Sequence, residues 1–269
     1  MFKKYSIFIF ILFVLVLTCV ANLATAKSDK KQEVEINGVL PEEEGIYNIK
    51  DHPNVKLRVF VYRAKPNPTP TPTLVCSLAD TNSSAEVKDA GWKLPATWTY
   101  RLNLSSVPVS VGSANLSLIA SKAYGAWQNV AGGKVIFSRG SNINVNKAQY
   151  DRQNIITWGR APGSALAVSY IWYSSGIATE VDTIMNNKFT WAWSNSDTWT
   201  TTPAGTTCAY QGVYDAQNIL THELGHTMGL DDEYTNDFQN NTMYGYGSTT
   251  ETKKDSLTSG DILGIQNLY

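Results

Sequence analysis

The chain has 269 residues, 43% hydrophobic and 17% charged, which is enough apolar material for one sizeable core with smaller attachments. Its 22 basic and 23 acidic residues leave a formal charge of -1, so no chain-wide field favours nucleic acid or an anionic membrane surface. Nucleic-acid binding is therefore not expected.

Lys3 and Lys4 precede an apolar run from Ile7 to Val20 and the small residues Ala24-Thr25-Ala26, the pattern of an export signal spanning residues 1–26. The expected location is secreted and extracellular, with no stable membrane association once the leader is cleaved. An uncleaved membrane anchor is the alternative, because no charge falls between Lys4 and Lys27. Cys19 follows Thr18, a larger residue than a lipid-attachment site calls for. Two cysteines then remain, Cys76 and Cys208, in a compartment where disulfides persist.

Residues 27–64 are charge-rich, with Glu42-Glu43-Glu44 and one strand-like alternation from Val55 to Val61. They read as an N-terminal segment, a candidate propeptide, with too little apolar surface for a core of its own. The regular prolines of Pro66-Asn67-Pro68-Thr69-Pro70-Thr71-Pro72 impose an extended path, so 65–75 reads as a linker and 76–269 as the main domain.

Within that domain Thr97 to Leu104 predicts a first strand. Leu116, Ile119, Ala123, Trp127 and Val130 recur at helical spacing and predict an amphipathic helix packed on a sheet. Further strands are expected at Val135–Phe137, Ile155–Trp158, Ala167–Trp172 and Thr179–Met185, all rich in β-branched and aromatic residues. Trp191, Trp193 and Trp199 read as core or loop packing. A second helix should start after Asp215, a good N-cap, and stop at Gly229; a third should start at Thr258, with Asp261 at capping-box spacing. Strands followed by these two helices indicate an α+β class.

The stretch His222-Glu223-Leu224-Gly225-His226 carries the chemistry. Residues four apart share a helix face, so both imidazoles can reach one ion, while Glu223 sits about 100 degrees round the helix, near that ion without being a ligand. A catalytic zinc needs three protein donors and one open position. Gly229 can adopt the left-handed conformation that turns the chain back, and Asp232 stands three residues beyond it. Asp231 and Glu233 flank Asp232 and carry the same chemistry. The remaining histidine, His52, lies before the proline run, so the third donor of the main domain is expected to be oxygen.

His222-Glu223-x-x-His226-x-x-Gly229-x-x-Asp232 resembles the metzincin signature, with Asp where most families carry a third His, as in snapalysin-like proteases. Asn241-Thr242-Met243-Tyr244-Gly245-Tyr246 looks like the Met-turn, with Met243 as a hydrophobic floor under the metal. The ending Leu257 to Tyr269, the segment Ala123-Tyr124-x-x-Trp127 and the run Leu166-Ala167-Val168-Ser169-Tyr170 are similar to matrixins. The resemblance covers about Trp98 to Tyr269. It implies a zincin/metzincin-like fold: a twisted, mainly parallel sheet with an edge strand at the cleft, packed on an active-site helix, and a C-terminal helix after the Met-turn.

The same resemblance implies a monomeric zinc endopeptidase acting on polypeptides. One catalytic Zn2+ would be held by His222, His226 and Asp232, with Glu223 as general base toward a zinc-bound water. The run Leu166 to Trp172 would be the edge on which an extended substrate pairs.

Val168 stands where matrixins carry a structural-zinc histidine, so a second zinc is not expected, and nothing in the sequence supports Ca2+. Cys76 and Asp80 keep the C-x-x-x-D spacing of the matrixin thiol switch, but Leu74-Val75 replaces its Pro-Arg. Cys76 therefore reads either as a disulfide partner of Cys208 or as a thiolate that blocks the zinc. Two rival readings use Glu251 as a distant third ligand, as in thermolysin-like zincins, or take the chain as a non-catalytic secreted binding or adhesion module. The absence of an Asn-Glu-x-x-x-Asp-type helix weighs against the first, and the intact Glu223 against the second. Substrate-binding residues are not readable from residue types.

Overall fold

A computed structural model describes residues 33–35, 38–66, 81–195, 201–202, 205–206 and 212–269. The leader, Cys19, Cys76, Cys208, Trp199 and most of the proline run lie outside the described residues. The described strands are β1 (Glu33–Val34), β2 (Gly45–Ile49), β3 (His52–Ala64), β4 (Thr97–Leu102), β5 (Ile136–Arg139), β6 (Asn154–Gly159), β7 (Ala165–Ser174) and β8 (Ile177–Asn186), joined by several two-residue strands.

Eight of these lie in the order β1-β2-β3-β7-β8-β6-β4-β5, and Tyr246–Gly247 adds a ninth strand beside the end of β3. Strands β5, β4, β6 and β8 run parallel, whereas β7 is antiparallel to β8 and β3 is antiparallel to β7. Both β7 and β8 are buried over almost their whole length, which explains why they read as continuous apolar runs rather than as alternation.

Helix α1 (Leu116–Val130) turns Leu116, Ile119, Ala123 and Trp127 into the core, as their spacing predicts. Helix α2 (Ala216–Met228) packs against α1, β7 and β8 and is buried at every position. Its polar residues therefore need partners inside the protein. Helix α3 (Ser259–Leu268) closes the chain, with the expected reciprocal capping box between Thr258 and Asp261. Among the described residues no helix is long and apolar enough to cross a membrane.

Two expectations need correction. The first strand ends at Leu102 rather than Leu104, because the Asn103 amide donates to the Val145 carbonyl and Thr157 hydroxyl and the chain turns into a short 3-10 segment. The Leu166–Trp172 run, expected as an open edge, has a strand on each side. Residues 33–64 share a sheet and an apolar cluster with residues beyond the proline run. Strand β3 pairs with β7 from Lys56 to Arg63, and Leu57, Val59 and Val61 bury against the β7 residues Val168, Tyr170 and Trp172. An apolar strand edge is costly to leave unpaired, and β3 carries apolar side chains on both faces.

Candidate metal centre and active site

Helix α2 begins where Asp215 accepts the Asn218 N–H at 2.9 Å and ends at Gly229, whose φ of 108° is left-handed. The N–H groups of Gly229 and Leu230 both reach the Gly225 carbonyl, satisfying the helix end and reversing the chain. The Leu230 carbonyl then accepts His226 Nδ1 at 2.9 Å, and the Thr242 carbonyl accepts His222 Nδ1 at 2.7 Å. A carbonyl can only accept, so both protons sit on Nδ1 and both Nε2 atoms present lone pairs. Burial also lowers both imidazoles, His226 to about 3, which keeps them neutral and fit to ligate a metal.

Asp232 Oδ1 lies 3.3 Å from His222 Nε2 and 3.6 Å from His226 Nε2. None of these three buried atoms has a hydrogen-bond partner. Lone pairs so close together, with no proton between them, repel unless a cation sits among them. A tetrahedron with arms of about 2.0–2.1 Å has edges of about 3.3–3.4 Å, so the donor set and its spacing fit zinc. Among the described residues these three form the cluster able to hold a metal ion.

The flanking carboxylates are turned elsewhere. Asp231 accepts Arg58 at 3.3 Å and the Asp232 N–H at 3.0 Å, and Glu233 accepts the Lys88 N–H at 3.3 Å. Glu251, the distant alternative, accepts the Ser248 N–H at 3.0 Å and lies 3.5 Å from Lys253, outside the cluster. The Tyr234 hydroxyl donates to Asp232 Oδ2 at 3.2 Å, which leaves Oδ1 aimed at the imidazoles.

Glu223 is fully buried on the same helix. The Ser169 hydroxyl of β7 donates to its Oε2 at 2.6 Å, and Oε1 has no partner. Met243 is buried with its sulfur against Gly225, where a Cβ would stand 2.1 Å from it, so the Met-turn floors the helix between Glu223 and His226.

The roof is unexpected. Phe60 of β3 stacks on His226 with ring centroids 3.7 Å apart, and Tyr62 stacks on His222 at 3.8 Å. Beside them the buried Lys254 ammonium donates to the Tyr62 hydroxyl and to the carbonyls of Tyr244 and Tyr246. Burial lowers this lysine to about 8. Sequence reasoning identified His222, Glu223, His226, Asp232 and Met243, which the structure gathers at one place. It missed Phe60, Tyr62, Ser169, Tyr234 and Lys254; only for Phe60 and Tyr62 was there a signal, two aromatics on the face of the 55–62 alternation that otherwise carries Lys56 and Arg58.

A buried His-His-Asp cluster, a general-base candidate beside it and a methionine floor behind a mainly parallel sheet define a zinc metalloendopeptidase-type domain. The matrixin family profile matches residues 91–269, and the chain belongs to that family. No curated protein gives a significant match to the chain.

Proposed function

We propose that this protein is a secreted zinc-dependent endopeptidase that hydrolyses peptide bonds with Glu223 as general base. The observation that carries the reading is the convergence of unpartnered His222 Nε2, His226 Nε2 and Asp232 Oδ1 beside the free Oε1 of Glu223. His222, His226 and Asp232 would hold the ion, which when bound polarises the scissile carbonyl and makes water acidic enough to attack near neutral pH. Oε1 of Glu223 takes the proton of the attacking water and returns it to the leaving amine, while Ser169 fixes Oε2. Burial pushes the Glu223 carboxyl up to about 8 against the pull of the Ser169 hydroxyl, and a cation beside it draws it back toward the ionised form a base needs.

Export rests on the leader-like residues 1–26, and a polypeptide substrate follows from the family. The chain is taken to act as a monomer free of the membrane. The test measures metal content and chelator-sensitive casein hydrolysis of the secreted chain, before and after limited cleavage within residues 67–80, beside Glu223→Gln. One zinc per chain is expected in both proteins, with hydrolysis confined to the one that keeps Glu223. A Glu223→Gln chain that cleaves casein like its parent would refute the assignment.

A further inference from the structure

His222, Glu223 and His226 have no exposed surface and Asp232 keeps 9%, although the endopeptidase reading, on which this inference rests, needs a polypeptide to reach them. What covers them is itself an extended polypeptide. Strand β3 makes antiparallel main-chain pairs with β7 from Lys56 to Arg63, the pairing by which a peptide adds to a sheet edge. Side chains alternate along it. Leu57, Val59 and Val61 face away from the metal centre into a second core, while Arg58, Phe60 and Tyr62 face α2.

Each of these three side chains meets a chemically distinct surface. The Arg58 guanidinium lies over the Phe60 ring at 4.1 Å and reaches Asp231 at 3.3 Å. Phe60 lies nearly parallel on the His226 ring, at an interplanar angle of 5°. Tyr62 covers His222 and ends on Lys254, whose three N–H donors are used by the Tyr62 hydroxyl and two backbone carbonyls. Without Tyr62, one donor of a fully buried ammonium would face the vacated space with no acceptor. A pocket with such a donor favours an occupant that brings an oxygen over one that lacks it.

We propose that the groove along β7, where the matrixin resemblance places an extended substrate and where β3 lies in cis, selects an extended segment with a basic residue, an aromatic ring and a tyrosine at alternate positions, as Arg58, Phe60 and Tyr62 stand. Lys254 is the specificity-determining residue of that groove. While β3 is in place no other strand can pair with β7, and this pairing is the means by which the expected propeptide would keep the chain latent. The matrixin-like thiol spacing at Cys76 is not needed for this block, since no cysteine lies in β3.

The test uses the full metal-loaded chain on a Glu223→Gln background, so that a bound peptide is not consumed, with a site-specific protease sequence inserted between Pro70 and Val75. The probe is a fluorescein-labelled peptide of residues 55–64, with Tyr, Phe or Ala at the position of Tyr62. The uncut chain should not bind it. The cut chain should bind the Tyr peptide at least about tenfold more tightly than the Phe or Ala peptides, and Lys254→Met should erase the difference between Tyr and Phe. Amide hydrogens of β7 should exchange faster after cutting and regain protection with excess peptide.

A full-chain Phe60→Ala/Tyr62→Ala double variant that still melts cooperatively should bind the Tyr peptide without cutting. Equal affinity for the three peptides overturns the selection, and failure of both the cut chain and the double variant to bind any of them overturns the groove. Restoring Glu223 separates the two readings: a cut, zinc-loaded chain that binds the Tyr peptide yet hydrolyses no casein leaves the groove standing and removes the endopeptidase assignment.

Discussion

Asp261 of α3 accepts the backbone N–H of Thr242 at 2.9 Å, and so an acid in the first turn of the last helix fixes the loop whose carbonyl holds His222. The same carboxylate accepts the Met243 N–H at 3.2 Å and the Thr258 N–H at 2.9 Å. This buried side chain joins the helix cap, the Met-turn and the imidazole. Asp261→Asn keeps the size but replaces one acceptor oxygen by a donor. The expected cost is about 2–3 kcal/mol of stability and roughly a 10–100-fold loss of zinc affinity. Thermal melts and zinc titration check both, and a variant that binds zinc like its parent would detach α3 from the centre.

Gly229 is the position where the backbone leaves no choice. Its φ of 108° disfavours any L side chain, and a Cβ there would stand 2.1 Å from the Trp92 carbonyl oxygen. Gly229→Ala should therefore cost more than the about 1–2 kcal/mol of a left-handed non-glycine residue alone, because the Trp92 backbone has to move too. Trp92 also donates to the His226 carbonyl at 3.2 Å, so the damage should reach the metal centre. Denaturant unfolding and zinc affinity of the variant should fall together.

The centre was legible in the sequence because its constraints are local. Helical spacing puts His222 and His226 on one face, and a glycine stop brings Asp232 back within ten residues of His222. The helix caps at Asp215 and Thr258 were legible for the same reason. The roof was not, because the pairing of Phe60 with Ser169 and of Tyr62 with Ala167 joins strands about a hundred residues apart, and strand pairing leaves no short-range signature. The spacing after Gly229 singled out Asp232, but nothing in the sequence excluded Asp231 or Glu233. The choice depends on Arg58, Tyr234 and the Lys88 N–H drawing each carboxylate in its own direction.

Asp215 links the active-site helix to pH. Burial raises its carboxyl to about 6 from 3.8, despite the N–H donors of Asn218, Ser194 and Gln217. A raised carboxyl means that the folded state binds the proton more tightly than the unfolded chain does. Its contribution is therefore most favourable below about pH 4 and is lost as pH rises through 6, a swing of up to about 3 kcal/mol. Asp215→Asn cannot titrate. The difference in unfolding free energy between parent and variant should shift in favour of the variant from pH 4 to pH 7, and a difference that stays flat would mean that the N-cap is ionised throughout.

The three neighbouring carboxylates predict two phenotypes. Asp232→Ala removes a donor 3.3 Å from His222 Nε2 and should abolish tight zinc binding while α2 stays folded. Glu233→Ala should leave zinc in place, because its carboxylate serves the Lys88 N–H rather than the cluster. Asp231→Ala should also keep zinc, since 42% of its side chain is exposed and its charged partner is Arg58. Tyr234→Phe is the sharpest of the set: it removes only the hydroxyl that turns Asp232 Oδ2 away, so zinc affinity should fall roughly 10–100-fold with no change in ligand set. Competition against a metal-sensitive dye ranks all four variants. If Tyr234→Phe kept parental affinity while Asp232→Ala lost zinc, the aim of Oδ1 would be set by the chain reversal at Gly229 alone.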